Sequence, residues 1–204
     1  MRLTRQAIPT AAASLAAAFR DYPLLVHATS DERERTALAL AFCSVALHYA
    51  VRWGEAYASS PACEGVAAWL PAECFPMTLG KSLRAIPLSV LLSLGRHGGS
   101  RLRTAGAYLD AMHRRLAPPG HLFLFVLGVA PQHQGAGHAS ALLRPVLARL
   151  DRDHRPCYVD TVNGDAVPLY EHLGFTVVER ARIPGTELTA WALVREPASS
   201  AADT

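Results

Sequence analysis

The stretch from His121 to Val162 constrains the fold most. His121–Val129 is an almost unbroken apolar run, the pattern of a strand covered on both faces. A short polar loop with Gly135 and Gly137 follows. Ala139, Leu142, Leu143, Val146, Leu147 and Leu150 then trace one helical stripe. Cys157–Val162 is a second apolar strand. Strand, glycine loop, helix and strand imply an α/β (α+β) fold around one mixed sheet flanked by helices.

The rest of the chain fills in around this core. Asp165–Leu173 reads as a short helix closed by Gly174. Phe175–Ile183 and Glu187–Val194 read as strands around a Pro184-Gly185 turn. Upstream, Met1–Arg5 is expected as a short strand. Thr10–Phe19 is expected as a helix with Thr10 as N-cap. Arg2 and Arg5 before this Ala-rich stretch superficially resemble an export leader, but the helix reading is preferred. Asp31 with Glu34 resembles a capping box, opening a helix that carries Leu38, Phe42, Val45 and Tyr49. Glu55–Ser59 and Gly65–Leu70 read as strands. Leu79–Leu94 is an apolar helix, buried or facing a partner. Gly95 and Gly98-Gly99 are expected to break the chain before an amphipathic helix through Leu102, Ala105, Leu109, Met112 and Leu116. Residues 76–116 thus form a helical insertion between the third and fourth strands. Pro145 falls inside a predicted helix, where a kink is expected. One domain spans residues 1–196, with a flexible tail at 197–204.

Composition removes several classes of function. Of 204 residues, 50% are apolar and 18% charged, so a sizeable core forms. A net charge of +3 without a basic run disfavours nucleic acid. The longest apolar stretch, Ala37–Val51, is interrupted by Ser44 and His48, so no membrane span is expected. Cys43, Cys63, Cys74 and Cys157 form no C-x-x-C pair, and reduced thiols fit a cytoplasmic protein. No histidine pair stands at a convincing metal-ligand spacing.

The chemistry concentrates in Val129-Ala130-Pro131-Gln132-His133-Gln134-Gly135-Ala136-Gly137-His138. The glycines let backbone approach a ligand closely. The following helix directs its unpaired N–H groups and positive dipole end into the loop. Such a loop suits a phosphate or pyrophosphate, although a plain strand-to-helix turn would look similar. Neither a P-loop nor the dinucleotide fingerprint is matched.

Gln132-x-x-Gly135-x-Gly137 after an apolar strand resembles the Q/R-x-x-G-x-G/A motif of GNAT-family N-acetyltransferases. Asn163 followed by Leu169-Tyr170-Glu171-His172-Leu173-Gly174-Phe175 resembles that family's second signature. The likeness is firm from His121 to Val194. Phe19-Arg20-Asp21-Tyr22-Pro23, Val66-Ala67-Ala68-Trp69, the insertion and Pro145 resemble puromycin N-acetyltransferase and its actinobacterial relatives. The resemblance implies the GNAT acyl-CoA N-acyltransferase fold. It also implies acetyl-CoA as co-substrate, its pyrophosphate on Gln132, Gln134, Gly135, Ala136, Gly137 and His138. The fourth strand is then expected to splay from the fifth and offer Leu127, Gly128 and Val129 to the cofactor, with Asn163 adding a hydrogen bond. Gly128 inside a strand independently suggests a bulge or close backbone approach. Tyr170 takes the role of proton donor to the leaving thiolate.

The general base is not given by the resemblance. Many members carry a glutamate on the fourth strand, yet no Asp or Glu stands between His121 and Gln132. Asp160, a carboxylate in an apolar strand, is the best candidate, unless it pairs with a nearby arginine. His121, His133 and a water chain remain alternatives. Tyr22, Trp69, Phe75 and Tyr108 are possible walls of an acceptor pocket, although each is also an ordinary core type. The expected activity is direct, ternary-complex transfer of acetyl to the primary amine of a small molecule, by a monomer or homodimer. A protein N-terminal or lysine acetyltransferase and a non-catalytic acyl-CoA-binding module are the alternatives.

Overall fold

The computed structural model describes residues 1–198, without the side chains of residues 98–101. Seven helices are described: α1 (Ile8–Phe19), α2 (Pro23–Ala28), α3 (Glu32–Trp53), α4 (Leu79–Ala85), α5 (Leu88–Leu116), α6 (His138–Arg152) and α7 (Val167–His172). They surround one sheet of β1 (Glu55–Ala58), β2 (Gly65–Pro71), β3 (Leu122–Val129), β4 (Cys157–Thr161), β5 (Thr176–Arg182) and β6 (Thr189–Arg195). The strand order is β1-β2-β3-β4-β6-β5. Only β3 and β4 run parallel, joined through α6.

Each face of the sheet has its own core. Phe123, Val126 and Tyr158 join α1, α3 and α5 residues on one side. Leu122, Leu124, Cys157 and Val159 meet the stripe Leu142, Leu143, Val146, Leu147 and Leu150 of α6 on the other. The predicted stripe is therefore the buried face, and α6 runs through Pro145 as one element. Asp31 caps α3 by accepting from the Arg33 and Glu34 N–H groups. The Glu34 carboxylate accepts from Thr29 Oγ1 at 2.6 Å, so it does not complete a capping box.

Several expectations need correction. Met1–Arg5 is not a strand: Arg2 makes an isolated bridge to Tyr57, and Arg5–Ala7 is a 3-10 turn. The helical insertion therefore follows the second strand of the sheet. Ala7, not Thr10, caps α1, because Pro9 already sits in its first turn. Leu79–Leu94 is not one helix. Pro87 divides it, since proline fixes its own φ and holds Ile86 extended. The helix then continues through Gly95, Gly98 and Gly99 to Leu116. Leu79, Leu83, Leu88 and Leu92 are exposed rather than buried. Helix α3 is by length and composition apolar enough to cross a membrane, but half of that window is buried and it packs on α1, α4 and α5. Part of the predicted tail, residues 199–204, lies outside the described residues.

Candidate active site

Strands β3 and β4 pair only at Leu122↔Cys157 and Phe123↔Tyr158. Beyond that point they part, and β3 from Leu124 onward lacks a partner on its β4 side. The expected splay is therefore present. A bulge accompanies it. Ala68 and Trp69 of β2 oppose Val126 and Leu124, which leaves Phe125 as the extra residue. Phe125 and Val126 consequently face the same core. The bulge falls at Phe125, not Gly128. Gly128 serves a close approach of another kind: an added Cβ would meet Leu15 Cδ2 at 2.7 Å and Ala18 Cβ at 3.2 Å. Helix α1 thus packs directly over the end of β3.

The parted strands open a cavity of about 770 Å³. One end is the glycine loop. Gly135 and Gly137 have φ of +78° and +80°, left-handed values that glycine adopts without strain, and nothing lies within 4 Å of an added Cβ at either. Gly137 caps α6 and brings no side chain. The first intrahelical bond runs from Ala141 N–H to the Gly137 carbonyl, so the N–H groups of His138, Ala139 and Ser140 have no helical acceptor. The Gln134 amide donates to the Val129 carbonyl at 3.1 Å and ties the loop back to the strand. An open strand edge next to an uncapped helix start and a glycine cradle fits a pantetheine chain ending in a pyrophosphate.

The other end of the cavity is aromatic and acidic. Phe19, Tyr22, Phe42, Phe75, Phe123 and Phe125 wall it, and Asp110 and Asp160 lie among them. Tyr22 accepts a hydrogen bond from the Val162 N–H at 3.2 Å, which anchors the start of α2 to the end of β4. Asp160 sits on β4 with its carboxyl nearly buried. Burial, together with the Asp110 carboxyl, pushes it up to about 7. Tyr170 of α7 lines the same cavity and is 6% exposed. Burial holds its phenol well above the ordinary tyrosine range, with Tyr22 and Asp160 adding to the effect, so it stays protonated at neutral pH.

The expected cofactor residues largely converge. Leu127, Gly128, Val129, Gln134, Gly135, Gly137, His138, Asn163 and Tyr170 line the cavity. Gln132 and Ala136 lie on the exposed loop and do not line it. Asn163 also caps the following turn by accepting from the Asp165 N–H. His133 faces the cavity rather than only solvent. Two acceptor candidates are corrected. Trp69 is fully buried on the α6 face of the sheet, and Tyr108 stands off the cavity, which α5 instead meets through Gly106, Leu109 and Asp110. Among the described residues Asp160 has no arginine partner: its ion contact is with His113, whose Nδ1 lies 3.8 Å from its Oδ2. Asp110, His113 and Tyr158 were not legible as site residues. The i, i+3 spacing of Asp110 and His113, beside Gly106, was the available signal.

Residues 99–177 match the family model for an acetyltransferase (GNAT) domain. Residues 99–177 thus resemble a GNAT acetyltransferase domain. That match runs from within α5 into β5 and includes both glycine-loop and Tyr170 segments. Mycothiol acetyltransferase of Salinispora arenicola (strain CNS-205) is 43% identical over 75 residues, 34% of this chain. The matched region is 24% of that relative's length, so the chain spans about a quarter of it. The solved histone acetyltransferase HPA2 and related acetyltransferase from Corynebacterium glutamicum is 21% identical and covers 97% of this chain. The chain covers 95% of it, with a TM-score of 0.62. This likeness extends the GNAT fold over the helices and strands upstream of the matched domain. GNAT acetyltransferases use acetyl-CoA as co-substrate.

Proposed function

We propose that the protein transfers acetyl from acetyl-CoA to the primary amine of a small molecule, directly and within a ternary complex. The observation that carries this reading is one cavity that joins the open β3 edge and glycine loop to Asp160 and Tyr170. The Leu127–Val129 backbone, Gly135, Gly137 and the His138–Ser140 N–H groups would hold acetyl-CoA, which supplies an acetyl thioester and a thiol leaving group.

The side chains then divide the proton work. An amine must be neutral to attack, and Asp160 is placed to take a proton from the ammonium form. A carboxyl near 7 matches that task at neutral pH. Tyr170 keeps its proton on Oη and can donate it where the thiol departs. The six aromatic walls and two carboxylates suit an amine carried by an apolar or aromatic body. Such a walled pocket suits a small acceptor. The resemblance of Phe19–Pro23 and the insertion to puromycin N-acetyltransferase-like members supports the same reading. Action in the cytoplasm is part of the same proposal.

The test is thiol release from acetyl-CoA across a panel of arylalkyl amines, linear polyamines and peptide N-termini. Turnover confined to compact apolar amines is expected. Turnover of peptides alone would replace this acceptor class, and binding of acetyl-CoA without any turnover would indicate a non-catalytic module.

A further inference from the structure

Next to Asp160 lies a chain of two buried histidines that the reading above does not use. His113 of α5 is 3% exposed and His121, just before β3, is 5% exposed. Their Nε2 atoms are 2.9 Å apart, so one proton lies between them. His121 Nδ1 is 2.7 Å from the Pro118 carbonyl oxygen, which can only accept. His121 must therefore carry its proton on Nδ1 and accept on Nε2. His113 must then donate from Nε2, and its Nδ1 is left with a lone pair. Nδ1 is buried and has no hydrogen-bond partner. It faces Asp160 Oδ2 at 3.8 Å.

A lone pair facing a carboxylate is unfavourable, and a proton on the carboxyl relieves it. We propose that His113 is a positioning residue whose tautomer, fixed by His121 and Pro118, makes Nδ1 the acceptor for Asp160 whenever that carboxyl is protonated. The inference rests on Asp160 being the base. As the acceptor ammonium gives up its proton, its N–H bond breaks and an Asp160 O–H bond forms. That O–H turns to His113 Nδ1, and a closure of about 0.6–1 Å from the 3.8 Å separation brings the pair within hydrogen-bond range. No proton passes to His113. Burial and His121 push its imidazole down to about 3, far below Asp160. The ring is held by stacking on Phe75 at 4.4 Å and edge contact with Phe123 at 4.5 Å.

Other titratable groups face the same carboxyl, and the Tyr158 phenol favours its charged form. Asp110 and His113 face Asp160 from α5, Tyr158 from its own strand, Tyr22 from the cap of α2 and Tyr170 from α7. The three phenols are pushed upward by burial and stay neutral. Beyond Tyr158, Arg115 and Glu179 pair with each other. Asp110 raises Asp160 but is present in every variant below.

The test uses the full chain labelled with 15N-histidine. Two-bond 15N–1H spectra should show His113 as the neutral Nε2–H tautomer from pH 5 to 8, its Nδ1 signal moving with Asp160. An Nδ1–H tautomer, or an imidazolium in that range, overturns the proposal whether or not any amine is turned over. In parallel, His113→Phe keeps the ring contacts and removes the acceptor. The acid limb of kcat/KM should move down by about one pH unit with little change in KM for acetyl-CoA. An unmoved limb in a folded variant overturns the proposal. Asp160→Asn separates the two readings: a wild-type profile there sinks the base assignment itself, while the tautomer remains a separate observation.

Discussion

At the scale of single residues, two groups carry opposite demands. Tyr170 must keep a proton and Asp160 must be able to take one. Burial raises both, but a phenol starts high and a carboxyl starts low, so one environment gives an acid and a base. Tyr170→Phe is expected to lower kcat about 100-fold with the acetyl-CoA Kd nearly unchanged, as steady-state rates and titration would show. Asp160→Asn is expected to lower turnover yet stabilise the fold at pH 8. The folded protein keeps the Asp160 proton up to about 7, whereas the unfolded chain releases it near 4. Between those values the folded state binds more protons, so stability falls as pH rises. Removing the charge should raise Tm by a few degrees at pH 8 and change it little at pH 4, by thermal melts. Both residues were legible in sequence, Tyr170 through its motif and Asp160 as a charge in an apolar strand. Asp110 and His113 were not. A carboxylate on an amphipathic helix ordinarily faces water, and only the placement of α5 against α2, α3 and β6 decides otherwise. Trp69 failed for a related reason: alternation along β2 sends it to the face opposite the cavity.

Elements make the site by leaving bonds unmade. Strand β3 gives up its ladder with β4 after Phe123, and α6 begins without a side-chain cap. The open helix start was readable because the glycine loop stands between an apolar strand and an amphipathic helix, whereas the parting of the strands was expected only through the resemblance to GNAT-family N-acetyltransferases. Gly135→Val places a branched side chain in open space at a left-handed φ. It should weaken acetyl-CoA binding at least 10-fold in titration calorimetry, by filling the cradle. Gly128→Val acts on packing instead. Its side chain would strike Leu15, itself buried in the core, and overpacking costs about 1–3 kcal/mol. A Tm lower by about 3–10 °C is expected. The break at Pro87 rather than at the glycines was misjudged, because glycine is tolerated inside a helix while proline also constrains the residue before it.

On the scale of the whole molecule, the sheet order places the parted strands at its centre, with a separate core on each face. The N-terminal helices and the insertion close one side, and α6 and α7 the other. The alternation of strands and helices made this layering legible. The convergence of Tyr22, Asp110 and Asp160 was not, since their neighbourhood depends on how α2 and α5 cross the sheet. The central claim is that acetyl-CoA lies along the open edge of β3 and on the loop at the start of α6. Hydrogen–deuterium exchange of the full chain, with and without saturating acetyl-CoA, tests it most directly. Protection concentrated in residues 124–141 is predicted. Unchanged exchange there, or protection centred elsewhere, would contradict the account.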